Sequence, residues 1–153
     1  MAKLPTTEDS PLRVVIDTNT WLDLLWFRDP RCAVLAAALA DERLVAVTNA
    51  TCRDEWLRVL AYPKLAIDDS GRADLCARFD VLAFLVDTTA IATALPRCRD
   101  PDDQKFLELA RDARAAILFT RDAELLALAK RCRRAGLFDI LEPHEAATRL
   151  AGR

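Results

Sequence analysis

Apolar residues fall along this chain in two alternating rhythms. Arg13-Val14-Val15-Ile16-Asp17 is a short β-branched run of the kind that forms a strand buried on both faces. Thr18-Asn19-Thr20 breaks it, and Trp21, Leu22, Leu24 and Leu25 follow at helical spacing until Asp29-Pro30. Cys32 to Ala40 reads as an Ala/Leu-rich helix, and Leu44-Val45-Ala46-Val47 as a second buried strand. Thr48-Asn49 offers an N-cap to a helix over Thr51–Leu60 that stops before Tyr62-Pro63. Ser70 is the expected cap of a further helix, roughly Ala73–Leu85, with Leu75, Phe79 and Leu82 on one face. The stretch from Asp87 to Arg99 reads mostly as loop, with room for a short strand.

The second half repeats the scheme. Asp100-Pro101 is a helix start with proline at the first helical position, and Phe106, Leu107 and Ala110 keep helical spacing after it. Ala116-Ile117-Leu118-Phe119 is the next strand, Asp122 to Lys130 a helix, Phe138-Asp139-Ile140-Leu141 a last short strand, and Pro143 the opening of a final helix. This alternation predicts an α/β fold: a three-layer α/β/α sandwich with a mostly parallel central sheet, from residue 13 to residue 150. Residues 1–12, polar with two prolines, read as a flexible lead-in. Ligands of such sheets bind beyond the carboxyl ends of the strands.

Composition narrows the picture. The chain's 153 residues suit one compact domain, and three glycines are too few for the turns of a β-sandwich or barrel. A net charge of -2 gives no overall basic field. The five cysteines are odd in number and form no Cys-x-x-Cys pair, which argues for small core residues in a reducing compartment rather than zinc or redox motifs. The N-terminal segment has no apolar run resembling a signal peptide, and no stretch is long enough to span a bilayer, so a cytoplasmic protein is expected.

The candidate chemistry is acidic. Asp17 closes the first strand, Asp100-Pro101-Asp102-Asp103 opens a helix, Thr120-Arg121-Asp122 follows the strand at 116–119, and Glu55 sits within a helix. Taken singly, Asp17, the three Asp at 100–103 and Asp122 also suit turn or helix-cap roles, and Glu55 suits a solvated face. Together, all but Glu55 lie at ends expected to face one crevice. Crowded carboxylates raise one another's pKa unless cations intervene, and oxygen ligands without His or Cys suit Mg²⁺ or Mn²⁺. The single histidine, His144, lies near the C-terminus, which leaves little support for Ser-His-Asp or Cys-His catalysis.

These segments resemble the motifs of the PIN-domain family. Val14-Val15-Ile16-Asp17-Thr18-Asn19 looks like its opening motif, and Asp54-Glu55-Trp56-Leu57-Arg58-Val59-Leu60 like its second acidic motif. The run from Arg99 to Leu107 resembles the third, and Ile117-Leu118-Phe119-Thr120-Arg121-Asp122 the fourth. Tyr62-Pro63-Lys64-Leu65 is similar to a segment in a bacterial branch that holds the toxins of toxin–antitoxin pairs. The likeness runs from about Arg13 to Leu150. It implies a metal-dependent endoribonuclease with Asp17, Glu55, Asp103 and Asp122 as the acidic quartet. Asp17, Asp103 and Asp122 would hold Mg²⁺ or Mn²⁺, supported by Asn19 and Thr120. Asp102 is the near competitor of Asp103, whose spacing to Ala110 matches the family. The resemblance also implies an RNA substrate, a cognate antitoxin partner and a possible homodimer. Arg53, Arg58, Arg97, Arg99 and Arg121 flank the acids as candidate phosphate contacts. Bulky Trp21 and Trp26 after the first motif suggest a narrowed groove.

Two other readings remain open from sequence. A receiver-like phosphoacceptor domain shares the doubly wound plan and the use of Mg²⁺. It needs an acidic pair on the first strand, an acceptor Asp ending the third and a lysine ending the last, where this chain has one Asp on the first and Glu142-Pro143 after the last. A PIN-like scaffold that binds RNA without cutting it is the third possibility.

Overall fold

Four of the five strands fall on the β-rich runs. In a computed structural model, which describes residues 11–152, β1 (Leu12–Ile16), β2 (Leu44–Thr48), β3 (Ala83–Leu85), β4 (Ile117–Phe119) and β5 (Asp139–Leu141) form one sheet in the order β3-β2-β1-β4-β5. All four pairings are parallel; Val14 faces Ala46 on one side and Ile117 on the other. The expected lead-in over 1–12 lies outside the described residues except for its last two, and Leu12 belongs to β1.

Helices cover both faces, as a buried parallel sheet requires. The strand period of two decides which side chain goes where. Val14, Ile16, Ala46, Ile117 and Phe119 enter one core with α1 (Thr18–Leu25), α2 (Ala33–Ala40), α3 (Ala50–Leu60) and α4 (Asp69–Leu82). Val15, Val47, Leu118 and Ile140 enter the other with α5 (Gln104–Asp112), α6 (Ala123–Leu126) and α7 (Ala129–Arg134). A short α8 (Ala146–Ala151) follows a 3₁₀ turn that opens at Pro143. Cys32, Cys52, Cys98 and Cys132 are buried, Cys76 is half-buried, and all five are free. Burial pushes the Cys52 thiol up to about 12. Among the described residues no helix is long and apolar enough to cross a membrane.

Three local expectations are corrected. The helix expected to run to Leu85 ends at Leu82, and Ala83–Leu85 is the edge strand β3, paired with Ala46–Thr48. Its N-cap is Asp68, whose Oδ1 accepts the Gly71 amide at 2.7 Å, rather than Ser70. The helix expected over 122–130 is two helices, and the second continues to Arg134.

Trp21 does not narrow a groove. It is 3% exposed and meets Phe79 at 4.8 Å between ring centroids, while Phe79 stacks on Trp56 at 5.1 Å. Phe79 thus ties α4 to α1 and α3. Replacing Phe79 with Ala should lower unfolding free energy by about 3–5 kcal/mol, the usual cost of emptying an aromatic site. Urea denaturation measures it, and a loss below about 1 kcal/mol would contradict this packing.

Candidate active site

The strand order reverses between β1 and β4, whose connections leave toward opposite edges of the sheet. A crevice forms at such a switch point beyond the carboxyl ends. Asp17 is the residue after β1, and Thr120 to Asp122 follow β4. The β1–β4 register, which places Ile16 beside Phe119, therefore brings the first and fourth motifs side by side.

Asp17 is 5% exposed. Its Oδ1 accepts the Thr20 amide at 3.0 Å as the N-cap of α1, and its Oδ2 accepts Thr120 Oγ1 at 2.5 Å. Thr120 Oγ1 in turn accepts the Asp122 amide at 3.0 Å. Thr120 thereby links two of the acids. Burial pushes the Asp17 carboxyl above its ordinary value; the bonds from Thr120 and Thr20 offset this, and the Asp122 charge adds to it. Asn19 is exposed, and the groups bonded to Asp17 among the described residues are Thr20 and Thr120. The orienting role expected of Asn19 thus falls to Thr20.

Asp122 caps α6, its Oδ1 accepting the amides of Glu124 at 2.7 Å and Leu125 at 3.2 Å. The cap reading of Asp17 and Asp122 is therefore realised, yet each carboxylate keeps lone pairs for a further partner. At the third motif the labour is divided. Asp100 caps the 3₁₀ turn Pro101–Asp103 by accepting the Asp102 amide at 2.9 Å. Asp102 is exposed. Asp103 occupies the N-cap position of α5, but its carboxylate makes no cap bond there. It is half-buried and is pushed up to about 6, first by burial and then by the charges of Asp122, Asp100, Asp17 and Glu55. Charges from all four motifs thus meet at the Asp103 carboxyl.

Glu55, from α3, pairs with Lys105 of α5, both largely screened from solvent. The approach lacks hydrogen-bond geometry, and Glu55 Oε2 is a buried oxygen with no hydrogen-bond partner among the described residues. Lys105 Nζ also donates to the Asp102 carbonyl at 2.7 Å. Sequence reasoning missed this lysine; its position two residues after Asp103, in the first turn of α5, was the available signal. Of the flanking arginines, Arg53 is held by Asp80 at 2.8 Å, and Arg121 by Asp23 at 2.8 Å and Asp29 at 3.3 Å. Arg58, Arg97 and Arg99 are exposed, with no ion pair among the described residues.

The four carboxylates share one electrostatic neighbourhood without closing on a single point: among the described residues no three acidic, histidine or cysteine side chains enclose an ion as they stand. The donor set still fits a hard divalent cation. It is all oxygen, and among the described residues the one cation paired with any of the four acids is Lys105, at Glu55.

Comparison with known families agrees with this architecture: the family model for the PIN domain matches residues 13–124. The chain belongs to the PIN-domain family. Its five parallel strands with helices on both faces are the PIN-type three-layer sandwich. Membership makes it a nuclease-type protein whose coarse chemistry is hydrolysis, and PIN nucleases generally use divalent metal ions. No curated protein matches the chain. The receiver-like alternative loses its basis, since β3 ends on Leu85 and β5 on Leu141, followed by Glu142 rather than lysine.

The raised acids set a pH dependence. Asp103 has a carboxyl at about 6 in the folded chain against an ordinary 3.8, so the folded state holds its proton more tightly. That stabilisation is complete below 3.8 and is lost as pH rises through about 6. Asp17 acts in the same direction. In EDTA, Asp103→Asn should therefore gain stability relative to the wild type as pH rises from about 4 to 7. Asp29, lowered to about 2 chiefly by its bonds from Arg31, acts only below this window. Thermal melts across the range test it; a constant difference between the two proteins would contradict the shift.

Proposed function

We propose that this chain is a metal-dependent endoribonuclease, the toxin of a toxin–antitoxin pair, which hydrolyses RNA phosphodiesters at the carboxylate groove. The observation that carries the reading is Asp103. Its carboxyl takes no part in capping its helix and lies in the combined field of Asp17, Glu55, Asp100 and Asp122. A fold does not accumulate uncompensated anions at a switch point for stability, since like charges there cost free energy.

Asp17, Asp103 and Asp122 would hold Mg²⁺ or Mn²⁺, with Glu55 completing the set. The ion, when bound, lowers the pKa of a coordinated water and offsets charge on the phosphate. Thr120 fixes Asp17 through its hydroxyl and Asp122 through its amide, so the spacing of these two acids follows the β1–β4 register. Lys105 holds the Glu55 carboxylate in place between α3 and α5. Arg58, Arg97 and Arg99 are the arginines left to meet RNA phosphates. Asp102, being exposed, stays outside the working set.

RNA as substrate, the antitoxin and a cytoplasmic setting rest on the likeness of the motifs to the toxin branch. Val81, Leu85, Phe27 and Tyr62 leave apolar surface exposed, which supports a protein partner, whether an antitoxin or a second copy.

Asp17→Asn preserves shape while replacing an anionic ligand with a neutral amide. It should lower Mn²⁺-dependent cleavage of a mixed RNA pool at least about a hundredfold, roughly the effect of 2.7 kcal/mol on the barrier. EDTA should abolish the wild-type activity. Melting temperature should hold or rise, because a buried anion is gone. Equal cleavage by both proteins would refute the assignment.

A further inference from the structure

One strongly charged face lies away from the acids. Between Leu125 and Phe138 there is no acidic residue, yet Lys130, Arg131, Arg133 and Arg134 fall in one six-residue helix. The chain as a whole has 24 acidic residues against 22 basic, so this local excess runs against its balance. Cys132 is fully buried and turns the opposite side of α7 outward. Lys130 and Arg134, four apart, and Arg131, three before Arg134, therefore form one exposed stripe. Arg133 leans toward Asp139 at 3.4 Å; the other three have no acidic partner among the described residues. Basic residues suit a helix C-terminus, but the dipole of a six-residue helix does not require three of them.

The stripe ends at an open cleft of about 450 Å³. Thr93, Arg111, Arg114, Gly136, Leu137 and Phe138 contribute to its walls. Those walls are fixed from within. Arg111 binds Asp112 at 2.8 Å and the Thr93 carbonyl at 3.0 Å, and Asp112 accepts the Ile91 amide at 2.9 Å. Arg114, across from Gly136, is exposed and without an acidic partner among the described residues. The cleft sits where β4 and β5 begin, at the opposite end of the sheet from Asp17. The segment from Asp122 to Arg134, which carries α6 and α7, links the two ends of the sheet, because β4 and β5 run parallel.

We propose that this cleft, with Arg114, Lys130, Arg131 and Arg134, is a second RNA-contact site that grips the phosphate backbone of a single strand whose scissile bond lies in the acidic groove. The proposal rests on the ribonuclease reading. An acidic groove repels a polyanion, and a net charge of -2 supplies no general attraction. Affinity must then come from local cations, and beyond Arg58, Arg97 and Arg99 this face offers four uncommitted ones, beside an open recess. Its contribution is electrostatic and independent of sequence.

Anisotropy of a labelled single-stranded RNA, long enough to reach both ends of the sheet, tests it in EDTA across a salt series. Arg114→Gln/Arg131→Gln/Arg134→Gln should weaken binding at least about tenfold near 0.1 M salt and flatten the log–log salt slope by about 2, close to 0.7 per lost contact. Arg43→Gln, a single charge removed elsewhere, should change neither. If the triple variant fails to fold, Lys130→Gln/Arg131→Gln should flatten the slope by about 1.4. Equal affinity and slope for variant and wild type would overturn the proposal, as would poly-glutamate binding as tight as RNA, which would mark the face for an acidic protein segment. Wild-type cleavage with Mn²⁺ is scored separately. A wild type that cleaves while the variant binds equally well refutes this site alone; one that binds RNA through this face without cleaving supports it and refutes the nuclease reading.

Discussion

A carboxylate buried at the end of the central strand is the constraint around which this molecule is arranged. Removing an ionised group from water is costly unless hydrogen bonds or a cation compensate. Asp17 has two such bonds, one from the first turn of α1 and one from Thr120 on the neighbouring strand. The second depends on the β1–β4 pairing, so the site exists only once the sheet has closed across its switch point. Burial still outweighs both bonds and keeps the carboxyl above its ordinary range. What remains uncompensated is an affinity for positive charge.

The other acids divide two duties. Capping and ligation need the same atoms, and the chain separates them by residue where it can. Asp100 takes the cap at the third motif and leaves Asp103 free, while Asp122 spends one oxygen on α6. The cations nearby are arranged with equal economy. Lys105 answers Glu55, Arg53 answers Asp80, and Arg121 is drawn off to Asp23 and Asp29. Arg121 follows Thr120 in sequence, yet its charge serves to tie the β4–α6 turn to α1. Positive charge with no acidic partner among the described residues is left to Arg58, Arg97 and Arg99 beside the motifs and to the cluster at the far end of the sheet.

Much of this was legible in the sequence because β1, β2 and β4 read as continuous apolar runs buried in the sheet, and β5 as a short one around the buried Ile140. The acids at their ends were legible for the same reason: a strand end is sharp when the next residue is Asp or Thr. β3 was not legible. Ala83-Phe84-Leu85 follows a helix whose own apolar spacing includes Phe79 and Leu82, and no glycine or proline separates them. The break between α6 and α7 is hidden likewise, in an unbroken Ala/Leu run. Ser70 and Asp68 are both plausible caps, and only the bond to Gly71 distinguishes them. Trp21 follows the first motif closely, but helical phase turns it away from the groove and into the aromatic contact with Phe79. Asn19 is likewise turned outward by helical phase, and Thr20, one position on, provides the bond to Asp17. The Glu55–Lys105 pair joins residues fifty apart, which no local pattern reveals.

The central claim is that Asp17, Asp103 and Asp122 form a divalent-cation site. Anomalous diffraction from crystals of the wild-type protein equilibrated with Mn²⁺ addresses it directly, without relying on turnover. The account predicts one or two anomalous peaks among these carboxylates, with metal–oxygen distances of roughly 2.0–2.2 Å for a small hard ion. Crystals that hold Mn²⁺ only at Asp23 and Asp29, or show no peak at the carboxyl ends of β1 and β4 under saturating Mn²⁺, would contradict it.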